Sequence, residues 1–288
     1  MRVVVLGAAG QLGRELVRVL PPAETIALAR ADLDVGDADA VAARLDALRP
    51  DVVVNAVADN RVDVAEQDPG PATAINAAAV GAIARASAAA NAFLVQMSTD
   101  YVFDGRARRP YTEADAPAPL GAYARSKLEG ERLARTIAPR HAVVRVAGLY
   151  ARGGSRGKGG SFVDRVLTRA RAGDVLRVVD DQVTAPSWAR DVAATLAALL
   201  PRWAAGTAPG GVFHLTNAGE CSWYAFARAV LREAGVAATM EPITTAALAA
   251  PAPRPAYSVL ADTRLAALGL PPLRSWDAAL AAYLRADD

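Results

Sequence analysis

Tyr123 and Lys127 are the residues of this sequence whose types and spacing best fit acid–base chemistry. On a helix, side chains four positions apart lie on one face. A free phenol has a pKa of about 10, and a neighbouring ammonium stabilises the phenolate and lowers that pKa towards the working range. The pair is therefore predicted to exchange a proton with a substrate that reaches it.

Lysine is rare in this chain, which makes the pair more informative. Of the 32 basic residues, only Lys127 and Lys158 are lysines. Arginine cannot replace a compact ammonium at every site. The alternative interpretation is an ordinary surface turn of a helix, which has to be weighed against the other motifs.

Composition and charge limit the class of protein. A chain of 288 residues with 53% hydrophobic and 22% charged residues is typical of one large globular domain or two closely associated ones. A net charge of +2 without a run of Lys or Arg argues against nucleic acid as a partner. Cys221 is the single cysteine, and the uncharged stretches fall short of the roughly 20 residues that span a bilayer. We expect no membrane partner and a cytoplasmic location.

Three glycines at regular spacing follow the first apolar run. Gly7, Gly10 and Gly13 lie between a predicted strand, residues 2–6, and a predicted helix, residues 14–20. This order is the context in which a glycine motif binds a dinucleotide. The first glycine allows a tight turn, the second lets the backbone approach a pyrophosphate, and the third lets the helix pack on the strand. A purely structural turn is the alternative.

The end of the second predicted strand, residues 25–29, indicates the cofactor. An acid at this position binds the 2′-hydroxyl of NAD, whereas an arginine accommodates a 2′-phosphate. The sequence has Arg30, which favours NADPH and leaves NADH possible, although a solvated arginine is the alternative. Asp34 could accept a hydrogen bond from the adenine amino group, and Val35 is assigned to the same subsite.

Small or polar residues follow two further predicted strands. Residues 51–58 run into Ala56 and Ala58, whose small side chains would leave room for a cofactor. Residues 93–97 are followed by Thr99. Polar residues at the carboxyl end of a parallel strand point into the ligand crevice. Thr99 could therefore hydrogen-bond a substrate carbonyl.

The alternation of strands and helices predicts an α/β fold with a Rossmann-type doubly wound parallel sheet. Residues 1–149 are predicted to form an NAD(P)-binding domain, to which residues 187–217 return. Residues 150–288 are predicted to form mainly a smaller C-terminal α/β substrate domain. The glycine-rich residues 152–160 are interpreted as a flexible loop.

Together these features resemble the extended short-chain dehydrogenase/reductases and, within them, the dTDP-4-dehydrorhamnose reductases. The resemblance extends over nearly the whole chain. The segments that carry it are residues 7–16, 49–56, 98–105, 123–127, 181–186 and 254–255.

The resemblance implies NADPH-dependent reduction of the 4-keto group of a dTDP-4-keto-6-deoxy sugar. It implies that Tyr123 protonates the carbonyl oxygen, that Lys127 holds the nicotinamide ribose, and that Thr99 orients the carbonyl. It also implies that the sugar contacts Asp100 and Arg254. It implies that the pyrophosphate contacts Gly10, Gln11 and Leu12.

Departures from the family leave alternatives open. Nucleotide-sugar 4,6-dehydratases resemble this chain but carry a Glu where it has Tyr101, so dehydration is not expected. An epimerase uses the same Tyr–Lys pair and stays possible, as does a non-catalytic, cofactor-binding regulatory subunit. Gly148 replaces a sugar-stacking Trp of many members. Arg190 stands where an acid would accompany Glu15 in a metal site, so no metal is predicted. The sugar, and the choice between monomer and homodimer, stay open.

Overall fold

The computed structural model of the chain describes residues 1–154 and 160–286. Most of the glycine-rich stretch that was interpreted as a flexible loop, namely residues 155–159, lies outside the described residues. The strands are β1 (Val3–Leu6), β2 (Thr25–Leu28), β3 (Val52–Asn55), β4 (Phe93–Thr99), β5 (His141–Val146), β6 (Leu176–Val179), β7 (Val183–Thr184), β8 (Gly211–His214), β9 (Cys221–Ser222) and β10 (Met240–Ile243).

Helices alternate with the strands over most of the chain. They are α1 (Gln11–Val19), α2 (Ala38–Leu48), α3 (Val62–Gln67), α4 (Pro69–Thr73), α5 (Ala79–Ala89), α6 (Ala122–Ile137), α7 (Phe162–Arg171), α8 (Ala189–Ala204), α9 (Trp223–Glu233), α10 (Thr245–Leu248) and α11 (Trp276–Arg285).

Six parallel strands form the central sheet in the order β2-β1-β3-β4-β5-β8. The second strand lies on one side of β1 and the third strand lies on the other side, so the strand order reverses between β1 and β3. Ligands of open α/β sheets bind outside the carboxyl ends of the strands at such a point. The predicted doubly wound α/β fold is confirmed.

Helices cover both faces of this sheet. Leu16 of α1 and Leu196 of α8 pack in the core on one face, and Val41 of α2 and Ile83 of α5 pack in the core on the other. Because the interior strands are buried on both faces, they read as continuous apolar runs such as the three valines of β3, residues 52–54. The sheet is therefore packed between two apolar layers, and the carboxyl ends of its strands lie at one edge of this core.

The later part of the chain contributes to two regions. The strand β8 pairs with β5 and extends the main sheet. A separate core surrounds Tyr150, Phe226 and Leu280 and joins α7, α9 and α11. Beside it, β10 pairs in parallel with β6, a pairing that the sequence did not reveal. The proposed domain boundaries stay a prediction.

A π-helical turn, Ala74–Ala78, lies between α4 and α5. Within this turn Asn76 is buried, and its amide bonds both the backbone N–H and the carbonyl of Asp59 at 2.9 and 2.8 Å. Such turns insert one residue and often occur at functional sites. Here the turn fixes the chain that leaves β3 against the helix layer.

Gly130 sets the distance between α6 and the π-helical turn. A Cβ atom at this position would lie 2.1 Å from the carbonyl oxygen of Asn76. We expect Gly130→Ala to lower the free energy of unfolding by about 1–3 kcal/mol through overpacking. Gly81→Ala in α5 is the matched control, because its Cβ would meet its nearest neighbour, Leu133, at 3.5 Å. The control should gain up to about 1 kcal/mol of helix propensity. Equal effects of the two substitutions in urea unfolding would contradict this account.

Candidate active site

The glycine turn after β1 brings helix α1 close to the sheet edge. Gly7 has a φ of +78°, a conformation that favours glycine. The N–H groups of Gly7 and Ala8 donate to the carbonyl of Leu28 at 2.9 and 3.1 Å, which ties this turn to the end of β2. At Gly13, a Cβ would lie 2.2 Å from the carbonyl oxygen of Gly7. Only glycine allows this approach of α1.

The N-terminus of α1 fits an anionic ligand. Its N-cap is Gly10, and within the described residues no side chain caps the first turn and no acid lies in it. The first backbone N–H groups and the positive end of the helix dipole therefore face the crevice. A pyrophosphate fits this cradle, which includes Gln11 and Leu12.

Arg30 lies just beyond β2, at the edge where an adenosine ribose is expected. Its side chain is 89% exposed, and its guanidinium is 3.6 Å from the carboxylate of Asp34. That carboxylate also accepts a hydrogen bond from the N–H of Gly36 at 3.0 Å. Val35 beside it is buried. Arg30 is thus accessible to a 2′-phosphate, whereas Asp34 is partly engaged with its own loop.

The residues after β3 border the same edge of the sheet. The strand ends at Asn55, whose side-chain oxygen accepts from the N–H of Val57 at 3.1 Å and whose amide donates to Gln96 at 2.8 Å. This turn ends the strand earlier than the sequence suggested. Ala56 is half-buried and Ala58 exposed; their contact with a cofactor stays a prediction.

Helix α6 carries Tyr123 and Lys127, and both are buried. The ammonium of Lys127 donates to the carbonyl of Met97 on β4 at 2.7 Å. Burial lowers the pKa of Lys127 to about 8, and the carboxylate of Glu131 opposes that decrease. The ring of Tyr101 meets that of Tyr123 edge to face, with 6.2 Å between centroids.

The pKa of Tyr123 shifts in the direction opposite to that expected from the sequence. Burial raises this pKa, the negative charges of Asp100 and Asp59 raise it further, and a hydrogen bond with Thr99 lowers it. The expectation considered only the neighbouring ammonium, but desolvation dominates. The phenol therefore stays protonated at neutral pH, which is the state that a proton donor needs.

Thr99 and Asp100 form one hydrogen-bonded unit at the end of β4. The Thr99 hydroxyl donates to one Asp100 oxygen at 2.9 Å, and the Ser258 hydroxyl donates to the other at 2.5 Å. Burial raises the pKa of Asp100 to about 6, and both hydroxyl groups oppose that increase. A contact between Asp100 and a sugar stays a prediction.

Arg254 reaches the same region from the C-terminal part of the chain. Its guanidinium donates to Asp63 at 2.8 Å and to the carbonyl of Ala252 at 2.9 Å. It also shares a hydrogen bond with Tyr101, the residue packed against Tyr123. Arg254 thereby lies next to a residue that contacts Tyr123, and its contact with the sugar stays a prediction.

The space beside Gly148, where many family members have a Trp, is occupied by Pro186 and Trp223. A Cβ at this position would lie 3.1 Å from Cα of Pro186 and 3.2 Å from the six-membered ring of Trp223. The sequence showed that an aromatic residue is missing here but did not show that Trp223 approaches from α9.

Two functional candidates escaped the sequence analysis. Asn76 is buried within the π-helical turn, and such a turn has no sequence periodicity of its own. Glu131 was overlooked, although it follows Lys127 by one helical turn, and that spacing could have revealed it.

The position considered for a metal holds an ion pair. Arg190 donates to Glu15 at 2.9 Å and stacks over the ring of Trp188 at 4.8 Å. Among residues 1–154 and 160–286, no group of three His, Cys, Asp or Glu side chains could hold a metal ion. No helix in the same ranges is long and apolar enough to cross a bilayer.

The parallel sheet, the glycine turn and the buried Tyr–Lys pair together define a Rossmann-type α/β protein with a candidate dinucleotide site. Comparison with known proteins gives the family. Residues 1–288 match the family described as RmlD substrate binding domain, and the chain belongs to that family.

Individual relatives agree with this assignment. A dTDP-4-dehydrorhamnose reductase of Streptomyces griseus is 43% identical over 283 residues, which cover 97% of this chain and 91% of the relative. A probable dTDP-4,6-dihydroxy-2-methyloxan-3-one 4-ketoreductase of Streptomyces antibioticus is 43% identical over 286 residues, 97% and 93% of the two chains. The crystal structure of dTDP-4-dehydrorhamnose reductase from Bacillus anthracis in complex with NADP has a TM-score of 0.92 at 30% identity and covers 98% of each chain. The family resemblance inferred from the sequence is confirmed.

The raised pKa of Asp100 predicts a pH-dependent contribution to stability. A carboxyl whose pKa is higher in the folded than in the unfolded chain stabilises the fold below its unfolded pKa, here 3.8, and that stabilisation is lost as the pH rises to about 6. Relative to wild type, Asp100→Asn should therefore gain about 3 kcal/mol between pH 3 and pH 7. Urea unfolding at both pH values measures this difference.

A control tests the cause of that change. Ser258→Ala removes a hydrogen bond that favours the Asp100 carboxylate, so the pH-dependent loss should extend to higher pH. If the stability difference between wild type and Asp100→Asn is the same at both pH values, Asp100 does not titrate as described.

Proposed function

We propose that this protein catalyses the NADPH-dependent reduction of the 4-keto group of a dTDP-4-keto-6-deoxy sugar, converting dTDP-4-dehydrorhamnose to dTDP-L-rhamnose. The observation that carries the proposal is the buried pair Tyr123–Lys127 beside Thr99 at the carboxyl end of β4. Relatives of this chain that are named dTDP-4-dehydrorhamnose reductase support the choice of substrate.

NADPH, when bound, supplies a hydride for the carbonyl carbon. The residues of the chain that would hold it are the glycine turn for the pyrophosphate, Arg30 for the 2′-phosphate and Lys127 for the nicotinamide ribose. An ammonium has three N–H donors. In Lys127 the carbonyl of Met97 takes one of them, which leaves donors for ribose hydroxyl groups.

Tyr123 provides the proton in this proposal. As the carbonyl oxygen gains negative charge, the phenol donates its proton to it and becomes a phenolate. The ammonium of Lys127 one turn away stabilises that phenolate. The developing alkoxide is a much stronger base than a phenolate, so the transfer is favourable even from a phenol with a raised pKa.

Thr99 orients the substrate carbonyl in this proposal. A hydroxyl group has one proton to donate, and in the structure Thr99 donates it to Asp100. To bind the carbonyl, the hydroxyl has to rotate away from Asp100. Asp100 then keeps its bond with Ser258 and has one oxygen available for the sugar.

Several further assignments complete the proposal. We propose the division into a cofactor domain, residues 1–149 together with 187–217, and a mainly substrate-binding remainder up to residue 288. We also propose a cytoplasmic location and a monomeric or homodimeric enzyme.

Removal of the Tyr123 hydroxyl tests the proton donor. We expect Tyr123→Phe to lower kcat for the keto sugar by about 10²- to 10⁴-fold, because the alkoxide loses its general acid. NADPH binding, measured by fluorescence titration, should be unchanged. The matched control is Tyr111→Phe, since Tyr111 is also buried but bonds Asp104 instead. Equal kcat values for Tyr123→Phe and wild type would remove the proposed role.

Reversal of the charge at Arg30 tests the cofactor assignment. A charge-assisted hydrogen bond is worth about 1.5–3 kcal/mol, so Arg30→Asp should lower the ratio of kcat/KM for NADPH to that for NADH by roughly tenfold to a hundredfold. Arg44→Asp, at an exposed arginine of α2, is the control and should keep the wild-type ratio. An unchanged ratio for Arg30→Asp would discard the 2′-phosphate contact.

A further inference from the structure

A second buried ion pair lies next to the Tyr–Lys pair. The guanidinium of Arg145 on β5 binds the carboxylate of Glu131 on α6 through two bonds of 2.9 and 2.7 Å. Both side chains are almost fully buried, at 2% and 1% exposure. The Ser98 hydroxyl donates a third bond to the same carboxylate. The Glu131 carboxylate thus accepts three hydrogen bonds from two side chains.

The geometry connects Glu131 to Lys127 in two ways. The two residues are four apart on α6 and therefore share one face. They also bind adjacent residues of β4, because Lys127 donates to the carbonyl of Met97 and Glu131 accepts from Ser98. The Glu131 carboxylate and the Lys127 ammonium therefore reach the same short segment of β4 from one face of α6.

Stability alone does not explain a buried ion pair at this place. Taking two charges out of water costs several kcal/mol per ion, and well-packed apolar side chains often serve as well or better. Lys127, however, has to remain an ammonium while buried. An opposite charge nearby is what favours the charged form of a desolvated group.

Among the ionisable groups around Lys127, Glu131 is the one that stabilises the charged form of the lysine. His214 on β8 contacts Arg145 at 3.4 Å, and burial lowers the pKa of His214 to about 4, so this histidine is neutral at pH 7. Tyr123 is a neutral phenol. Asp100 and Tyr101, which follow β4, and Asp59, which follows β3, act on Tyr123. Glu131 is the acid whose charge raises the pKa of Lys127.

We propose that Glu131 is a positioning residue of this site: its carboxylate, fixed by Arg145 and Ser98, keeps Lys127 protonated and directed along α6 when the site is closed to water. The role assigned to Lys127 rests on the proposed function. The coupling between the two side chains does not, and it can be measured without catalysis.

The scarcity of lysine allows a direct measurement. Protein labelled with ¹³C at the lysine ε-carbon has two signals, and Lys158→Arg removes one of them and so assigns the other to Lys127. In wild type we expect the Lys127 signal to titrate with a pKa of about 8. In Glu131→Gln the midpoint should fall by about one pH unit. Glu129→Gln is the control, since Glu129 lies on the same helix but is only partly buried and is paired with Arg132; its midpoint should match wild type.

A second variant protects the test against misfolding. Glu131→Gln leaves Arg145 buried without its partner, which can cost about 3–5 kcal/mol. The double variant Glu131→Gln/Arg145→Gln removes both charges. It should also lower the Lys127 midpoint, but by less than Glu131→Gln, because the repulsion between Arg145 and the ammonium is removed as well. An unchanged midpoint in a folded variant, shown by circular dichroism, overturns the proposal.

Cofactor binding supplies an independent readout. Because a lower midpoint removes the ammonium at lower pH, Glu131→Gln should bind NADPH like wild type at pH 6.5 and several-fold more weakly at pH 8.5. A structural role alone would weaken binding equally at both pH values. If wild type fails to reduce the keto sugar while the titration behaves as expected, the proposed function fails and the Glu131–Lys127 coupling stands.

Discussion

The site depends on the burial of one ammonium between α6 and the carboxyl end of β4. A buried charge is costly unless it is paired and hydrogen-bonded. Lys127 meets this condition through the carbonyl of Met97 and the neighbouring carboxylate of Glu131. The bond to Met97 joins α6 to β4. Tyr123, one turn earlier on α6, shares a hydrogen bond with Thr99.

Close backbone approaches make this placement possible. At Gly13 and at Gly130 a Cβ atom would lie 2.2 and 2.1 Å from a carbonyl oxygen of a neighbouring element. The first approach brings the N-terminus of α1 to the strand edge where an anion can bind, and the second brings α6 against the π-helical turn. Since both walls of the crevice are positioned by backbone contact, small residues determine its shape as much as the polar residues that line it.

The sequence predicted those features that depend on residues close together in the chain. Strand β1 with its glycine turn and the shared face of Tyr123 and Lys127 follow from apolar runs and from helical spacing. The direction of the Tyr123 pKa shift was wrong, because desolvation depends on how tertiary packing surrounds the phenol. The inward orientation of Asp100 was equally inaccessible, since its partner Ser258 is 158 residues further along the chain. Nothing near Asp100 in sequence indicates that contact.

The opposite pKa shifts of Tyr123 and Lys127 indicate the direction in which the site is prepared to move a proton. Burial disfavours the charged form of either group, so it raises the pKa of the phenol and lowers that of the ammonium. The phenol therefore rests protonated, as a donor to a developing alkoxide must. Oxidation of an alcohol would require a phenolate at the start, close to the negative charge of Asp100. A charged ammonium one helical turn from the phenol offsets that repulsion, so the charge state of Lys127 affects the direction of proton transfer.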